Sequence, residues 1–291
     1  MKRCGAIALF FVVGATSAPA AGYDDLSRGL YANSVGDNAL AISSFTAALA
    51  AGDLAPGYIP NAYFGRAKAY LRTGKCAEAL SDLNEVIKRK ADDIDAYELR
   101  ASAKLCLHQP DAAWADADAA IRSRPVTSVY ESFARLQWNY GFFSQATANF
   151  AQAFKVTGPG NPHRPYLVLW YAMSASRAGM LDQAALAADM SVLDSDDWPA
   201  ALLDFYRGKL TADQVNRAAA RGDERAASGQ KCEADFYIAE WQLASNNPLA
   251  AKALLQAAIG ECPKTFIEYC AAQVELKRQT QKPEGQPLGG K

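Results

Sequence analysis

Residues able to do chemistry are sparse in this chain. It holds two histidines, His108 and His163, and six cysteines. A hydrolase needs a nucleophile, a base within hydrogen-bond reach and a third group that orients the base. His108 stands in Leu-His-Gln-Pro and His163 in Asn-Pro-His-Arg-Pro, and neither adjoins a glycine-flanked serine or a metal-ligand spacing. Gly208-Lys209 lacks the spacing of a phosphate-cradling loop. The expectation is a protein that is not an enzyme and carries no cofactor or metal. A formal charge of −1 without a basic stripe argues against nucleic acid as a partner.

The cysteines offer structural chemistry instead, in a compartment set by the N-terminus. Lys2 and Arg3 precede an apolar run from about Gly5 to Val13, and Ala18-Pro19-Ala20 supplies the small residues that a signal peptidase cuts after. The run falls well short of the ~20 apolar residues that span a bilayer. Cys4 lies before the apolar core, where the lipid-bearing cysteine of a lipobox cannot be. Residues 1–20 are expected to be a secretory signal peptide, leaving a soluble periplasmic protein with no membrane insertion. Oxidising compartments preserve disulfides, and the mature chain keeps Cys76, Cys106, Cys232, Cys262 and Cys270. Cys232 and Cys262 flank one hairpin, whose antiparallel helices bring its ends together, so this pair is expected to be bridged. Cys76 and Cys106 both lie near helix–helix turns, which leaves a second bridge open. Cys270 is expected to be a small buried apolar residue.

The elements that position these residues are helical hairpins. In residues 60–93, Tyr63, Ala67 and Tyr70 precede Gly74, and Ala79, Leu83 and Val86 follow it. Only small side chains let two helices approach to about 8–10 Å, and Gly74 supplies a turn where a Cβ would be strained at positive φ. The unit resembles a tetratricopeptide repeat (TPR), with a period of about 34 residues. Ala41, Ala79, Ala113, Ala146, Ala184 and Ala251 each open a second helix, at intervals of 38, 34, 33, 38 and 67 residues. The last interval is close to two periods and hides a degenerate hairpin. The predicted fold is therefore an all-α, TPR-type α-solenoid of about six to seven helical hairpins, right-handed as the resemblance implies, with a C-terminal capping helix.

The expected organisation is N-terminal repeats over 21–156, a Gly/Pro connector at 157–162 and a hairpin at 163–197. A degenerate hairpin follows at 198–231, in which Thr211 and Gln214 are spaced as a capping box. The last hairpin and capping helix occupy 232–280, and 281–291 form a tail with too little to bury. Trp-Pro at 198–199, FYRGKLTADQV, FYIAEWQL, NPLAAKALLQAAI and FIEYCAAQVEL, in that order, resemble the C-terminal half of the NlpI-like periplasmic TPR lipoproteins. That resemblance implies a homodimeric adaptor that docks a processing protease and peptidoglycan (cell-wall) enzymes. This chain departs from the family in lacking the lipid-anchor cysteine.

In a TPR stack the first helices of each hairpin line a concave groove. Its expected lining is Asn61, Phe64, Lys68 and Arg72, then Glu98, then Glu131, Arg135, Trp138 and Asn139, and finally Trp170 and Arg177. Aromatic and arginine side chains together are what a protein-binding surface uses as anchors. The two tryptophans could equally fill gaps between helices. Lys68 and Arg72 hint at a carboxylate clamp, but Phe64, Glu98 and Glu131 oppose an anion, so the groove reads as a mixed-charge face for an extended segment carrying both signs. The predicted role is a periplasmic protein–protein adaptor or scaffold. The alternative is a structural subunit of an envelope assembly or secretion complex.

Overall fold

Alanine and glycine at the positions where helices meet fix how closely those helices can lie. In the computed structural model, which describes residues 21–184, Leu186 and 198–281, the described residues form fourteen α-helices and no strand. These are α1 (Ala21–Val35), α2 (Asn38–Ala51), α3 (Ile59–Arg72), α4 (Cys76–Arg89), α5 (Ile94–Cys106), α6 (Pro110–Ser123), α7 (Thr127–Asn139) and α8 (Phe143–Val156). They continue as α9 (Arg164–Arg177), α10 (Ala200–Tyr206), α11 (Ala212–Ala219), α12 (Glu224–Ala244), α13 (Pro248–Glu261) and α14 (Ile267–Gln281). Consecutive helices pack on one another from α1 to α5 and from α7 to α14, which is an all-α, TPR-type solenoid. The expected signal peptide, Ala188 of the fifth hairpin and the tail after Gln281 lie outside the described residues.

The chain divides into two units, the first ending at Ala113 and the second starting at Trp114. In the first unit Ala41, Ala48, Ala62, Ala67, Ala79 and Ala96 are fully buried, as are Phe45 and Leu83. Gly29 and Gly65 leave room for the Phe45 ring: a Cβ at Gly65 would meet that ring at 2.3 Å, and one at Gly29 at 2.8 Å. Gly74 has φ +73°, the left-handed turn its position demanded. Arg66 of α3 makes a two-point pair with Asp82 of α4, both contacts 2.8 Å, and donates to Thr46 Oγ1 of α2 at 3.0 Å. The hydrogen bonds to Asp82 raise the Arg66 pKa against the opposing effect of burial.

The second unit has a larger core, built on Trp138, Phe150, Tyr206, Phe236, Tyr237, Leu167, Leu169 and Met173. Tyr206 donates its hydroxyl to the Tyr237 carbonyl at 2.9 Å, so its polar end is satisfied where it is buried. The Thr211–Gln214 capping box forms. Helix α12 begins at Glu224, so Cys232 sits two turns inside it instead of opening it. It still reaches Cys262, the C-cap of α13, with a Cα–Cα distance of 4.9 Å, and the two are disulfide-bonded. Cys76 and Cys106 form the second bridge, at a Cα–Cα distance of 6.1 Å. Cys270 is exposed on α14, not buried as its apolar character led us to expect.

The Phe45 contact gives a direct test. Gly65→Ala must displace the ring and is expected to lower stability by about 1–3 kcal/mol. Gly57→Ala adds a Cβ that meets nothing within 4 Å and should shift stability by less than about 0.5 kcal/mol. Urea midpoints of the two variants check the difference.

Candidate functional site

The two units treat their inner helix faces differently, and the difference decides which predicted residues can touch a partner. In the first unit the inner faces of α1 and α3 stay open. Leu30, Asn33, Asn61, Phe64 and Lys68 line a pocket of about 360 Å³, and a second of about 190 Å³ shares Asn61 and Phe64 and adds Pro60, Asp93 and Asp95. Asn61 and Lys68 are exposed, and Phe64 is half-buried with one face available. Lys68 makes no ion pair among the described residues. Arg72 donates to the Asn33 carbonyl at 3.0 Å, and the Asn33 amide donates to the Gly65 carbonyl at 2.8 Å. These bonds tie α1 to α3 at the end of the pocket where the two arginine and lysine side chains stand. Asp93 caps α5 through the Ala96 N–H, and half-buried Glu98 lies one turn further along that helix. Lys68 thus lines the pocket against α1, and Asp93 and Asp95 line the pocket against α5, with Asn61 and Phe64 common to both.

In the second unit the inner face is filled. Trp138 is 0% and Trp170 3% exposed. Their rings meet edge-to-face at 5.5 Å, with Phe236 of α12 at 6.1 Å from each. Arg177, 8% exposed, pairs with Glu240 of α12 at 2.5 Å and with Glu275 of α14 at 3.3 Å, and lies over the Phe143 ring at 4.4 Å. Arg278 pairs with Glu275 and donates to the carbonyls of Trp138 and Asn139 at 2.9 and 3.0 Å. Burial lowers its pKa to about 10. The expectation that Trp138, Trp170 and Arg177 line a groove is therefore corrected: α12 and α14 pack over the inner face of α7 and α9 and turn these side chains into core. Glu131 and Arg135 remain partly accessible but pair with each other at 2.5 Å one turn apart. Asn139 is exposed, with its carbonyl held by Arg278.

A second polar cluster was not anticipated. Glu233 of α12, 8% exposed, accepts from Trp198 Nε1 at 2.7 Å and from the Tyr166 hydroxyl at 3.1 Å. Glu268 of α14, 5% exposed, accepts from the Tyr237 hydroxyl at 3.2 Å. Burial raises both carboxyls, Glu233 to about 7, outweighing the two donors. Glu233, three places before the Phe236 that opens FYIAEWQL, was the available signal, since glutamate seldom enters a core without a partner. Neither histidine joins a catalytic arrangement: His108 occupies a turn with φ 58°, and His163 precedes α9, its backbone N–H bound to Asn161.

The architecture defines a class, a TPR-type array of helical hairpins. No protein-family model matches the chain, and no curated protein does. Among solved structures it is similar to a tetratricopeptide repeat protein from Parabacteroides merdae, at 14% identity and TM-score 0.47, covering 87% of this chain and 98% of that one. It is also similar to the Rap conjugation gene regulator of plasmid pLS20, solved with the Phr* peptide, at 16% identity and TM-score 0.42, covering 89% and 75%. A third is PilW, a type IV pilus biogenesis factor, at 15% identity and TM-score 0.38, covering 74% and 98%. At such scores nothing about partner or site transfers from them to this chain.

Two measurements follow from the buried charges. Arg177→Ala leaves Glu240 buried without its cation and Glu275 with Arg278 alone, and is expected to destabilise by about 3–5 kcal/mol in chemical denaturation. Glu233 holds its proton more tightly folded than its ordinary 4.5, so its contribution is fully present below about pH 4.5 and is lost as pH rises through about 7. The loss is on the order of 3 kcal/mol. Glu233→Gln should flatten the stability profile between pH 5 and 8 without abolishing its slope, because Glu268 shifts in the same sense; an unchanged slope would remove Glu233 from that account.

Proposed function

We propose that this protein is a non-enzymatic periplasmic TPR adaptor that binds an extended segment of a protein partner on the inner face of its first unit. The observation that carries the reading is the pair of open pockets that share Asn61 and Phe64, one lined by Lys68 and the other by Asp93 and Asp95, in a molecule whose second inner face is closed by its own helices. An aromatic face beside unpaired polar groups is the composition protein-binding surfaces favour. Export is supported by the signal-like residues 1–20 and by two disulfides. Among the described residues no helix is long and apolar enough to cross a membrane. The NlpI-like pattern over 198–277 supports a protease or a peptidoglycan enzyme as the client, and a homodimer as the working form.

A photo-crosslinking residue in place of Asn61, in the chain starting at Ala21, should capture an envelope protease or peptidoglycan enzyme, and Phe64→Ala/Lys68→Glu should abolish the capture. The same probe in place of Gln256, exposed on α13, should not capture it. Capture from Gln256 alone would place the interface elsewhere and favour a structural subunit. Intact mass of the exported protein is expected to begin at Ala21; retention of residues 1–20 would remove the soluble periplasmic form.

A further inference from the structure

The inner faces make no use of a pocket between α10 and α11. Ala200, Ala201, Leu210 and Ala218 give it an apolar floor, Arg217 and Arg221 stand on its rim, and it encloses about 430 Å³. Its one carboxylate, Asp204, is already bridged by Arg207 at 3.2 Å and Lys209 at 3.6 Å. The Gln214 side chain is committed to the capping box. Arg217 and Arg221 are exposed and make no ion pair among the described residues. Asp213, one turn before Arg217, does not pair with it. Asp204 is thus neutralised by two cations from outside the lining, and the two arginines that line the pocket have no acidic partner among the described residues.

Spacing says what would bind them. Arg217 lies in the last turn of α11, and the Arg221 N–H donates to the Ala218 carbonyl at 3.1 Å, which carries the turn on to it. Four residues of helical rise place the two about 6 Å apart. An extended chain presents side chains on one face every second residue, about 6.6–6.8 Å apart. Two carboxylates at positions i and i+2 of an extended segment therefore match two guanidinium groups at i and i+4 of this turn, each able to make paired hydrogen bonds. The volume exceeds what a single carboxylate needs and suits a few residues of chain. Glutamate fits better than aspartate, because its methylene stem can lie on Ala218 and Leu210.

We propose that the α10–α11 pocket docks an acidic extended segment of a partner protein, with a Glu-x-Glu pair held by Arg217 and Arg221. This site is separate from the pocket of the first unit and does not depend on it.

The probe is a fluorescein-labelled Gly-Ser-Glu-Leu-Glu-Leu-Glu-Ser-Gly peptide, with a counterpart in which lysine replaces glutamate, titrated with the mature chain in fluorescence anisotropy. The glutamate peptide is expected to bind at least about ten-fold more tightly than the lysine one, and to weaken as salt is added. Arg217→Ala/Arg221→Ala, with unchanged helicity by circular dichroism, should lose about ten-fold or more. Arg225→Ala makes the same kind of charge change at an exposed arginine outside the pocket and should change affinity by less than about two-fold. Phe64→Ala/Lys68→Ala should bind as wild type. The proposal is overturned by no binding to the wild type, by equal affinity in the Arg217/Arg221 variant, by a matching loss in Arg225→Ala, or by loss through the Phe64/Lys68 variant.

Discussion

Arg177, Glu240, Glu275 and Arg278 share a space from which water is almost excluded, and the second unit is organised about that fact. Arg177 and both glutamates have side chains at most 1% exposed. Removing such charges from water is expensive, and their mutual attraction offsets the loss only with good geometry and further hydrogen bonds. Those bonds come from four helices. Arg177 is on α9, Glu240 on α12, and Glu275 and Arg278 on α14, with Arg278 also taking the last carbonyls of α7. Helix C-termini present unsatisfied carbonyls that favour a cation. The network can be complete only when α14 lies against α7, so it selects one arrangement of the inner helices.

Closing the face in this way removes the aromatic side chains from use as anchors. Trp138, Trp170, Phe150 and Phe236 form one aromatic cluster, and their area contributes to the core. Among its described residues the first unit has no comparable cluster. Its helices meet through alanines, through aliphatic side chains such as Leu83 and Val86, and through the Phe45 ring, seated between two glycines. Asn61 and Lys68 project from α3 exposed, and Phe64, packed against the core of its unit, also lines both open pockets, which is why the binding reading falls on them.

The repeat was legible because it is local. Ala67, Gly74 and Ala79 lie within one hairpin, and a close helix contact or a left-handed turn restricts residue type wherever it occurs. Asn61, Phe64 and Lys68 were read from the same hairpin geometry, and the structure leaves Asn61 and Lys68 exposed. Trp138 and Arg177 were misplaced because their burial depends on Arg278 and Glu275, about a hundred residues or more further on, and a repeat pattern carries no term for closure at that range. A partial signal existed: Arg177 and Glu240 are opposite charges at inner positions of neighbouring first helices, and Glu275-x-x-Arg278 repeats both signs on the capping helix. The Glu233–Trp198 contact has the same character, joining elements whose repeat pattern had already faded.

The composition of the first unit also bears on the compartment. Fully buried alanines let helices come close but bury little apolar area each, so the hydrophobic term per residue is small. Phe45, Leu83 and Val86 are the larger side chains that compensate. The Cys76–Cys106 bridge joins the start of α4 to the end of α5 across 30 residues, a loop for which the chain-entropy account gives about 3–4 kcal/mol. Against a whole-domain stability of about 5–15 kcal/mol that is a large share. A chain with this core keeps that share only where its thiols remain oxidised, which ties the cysteine pairs to the same proposal of export that the N-terminal residues support.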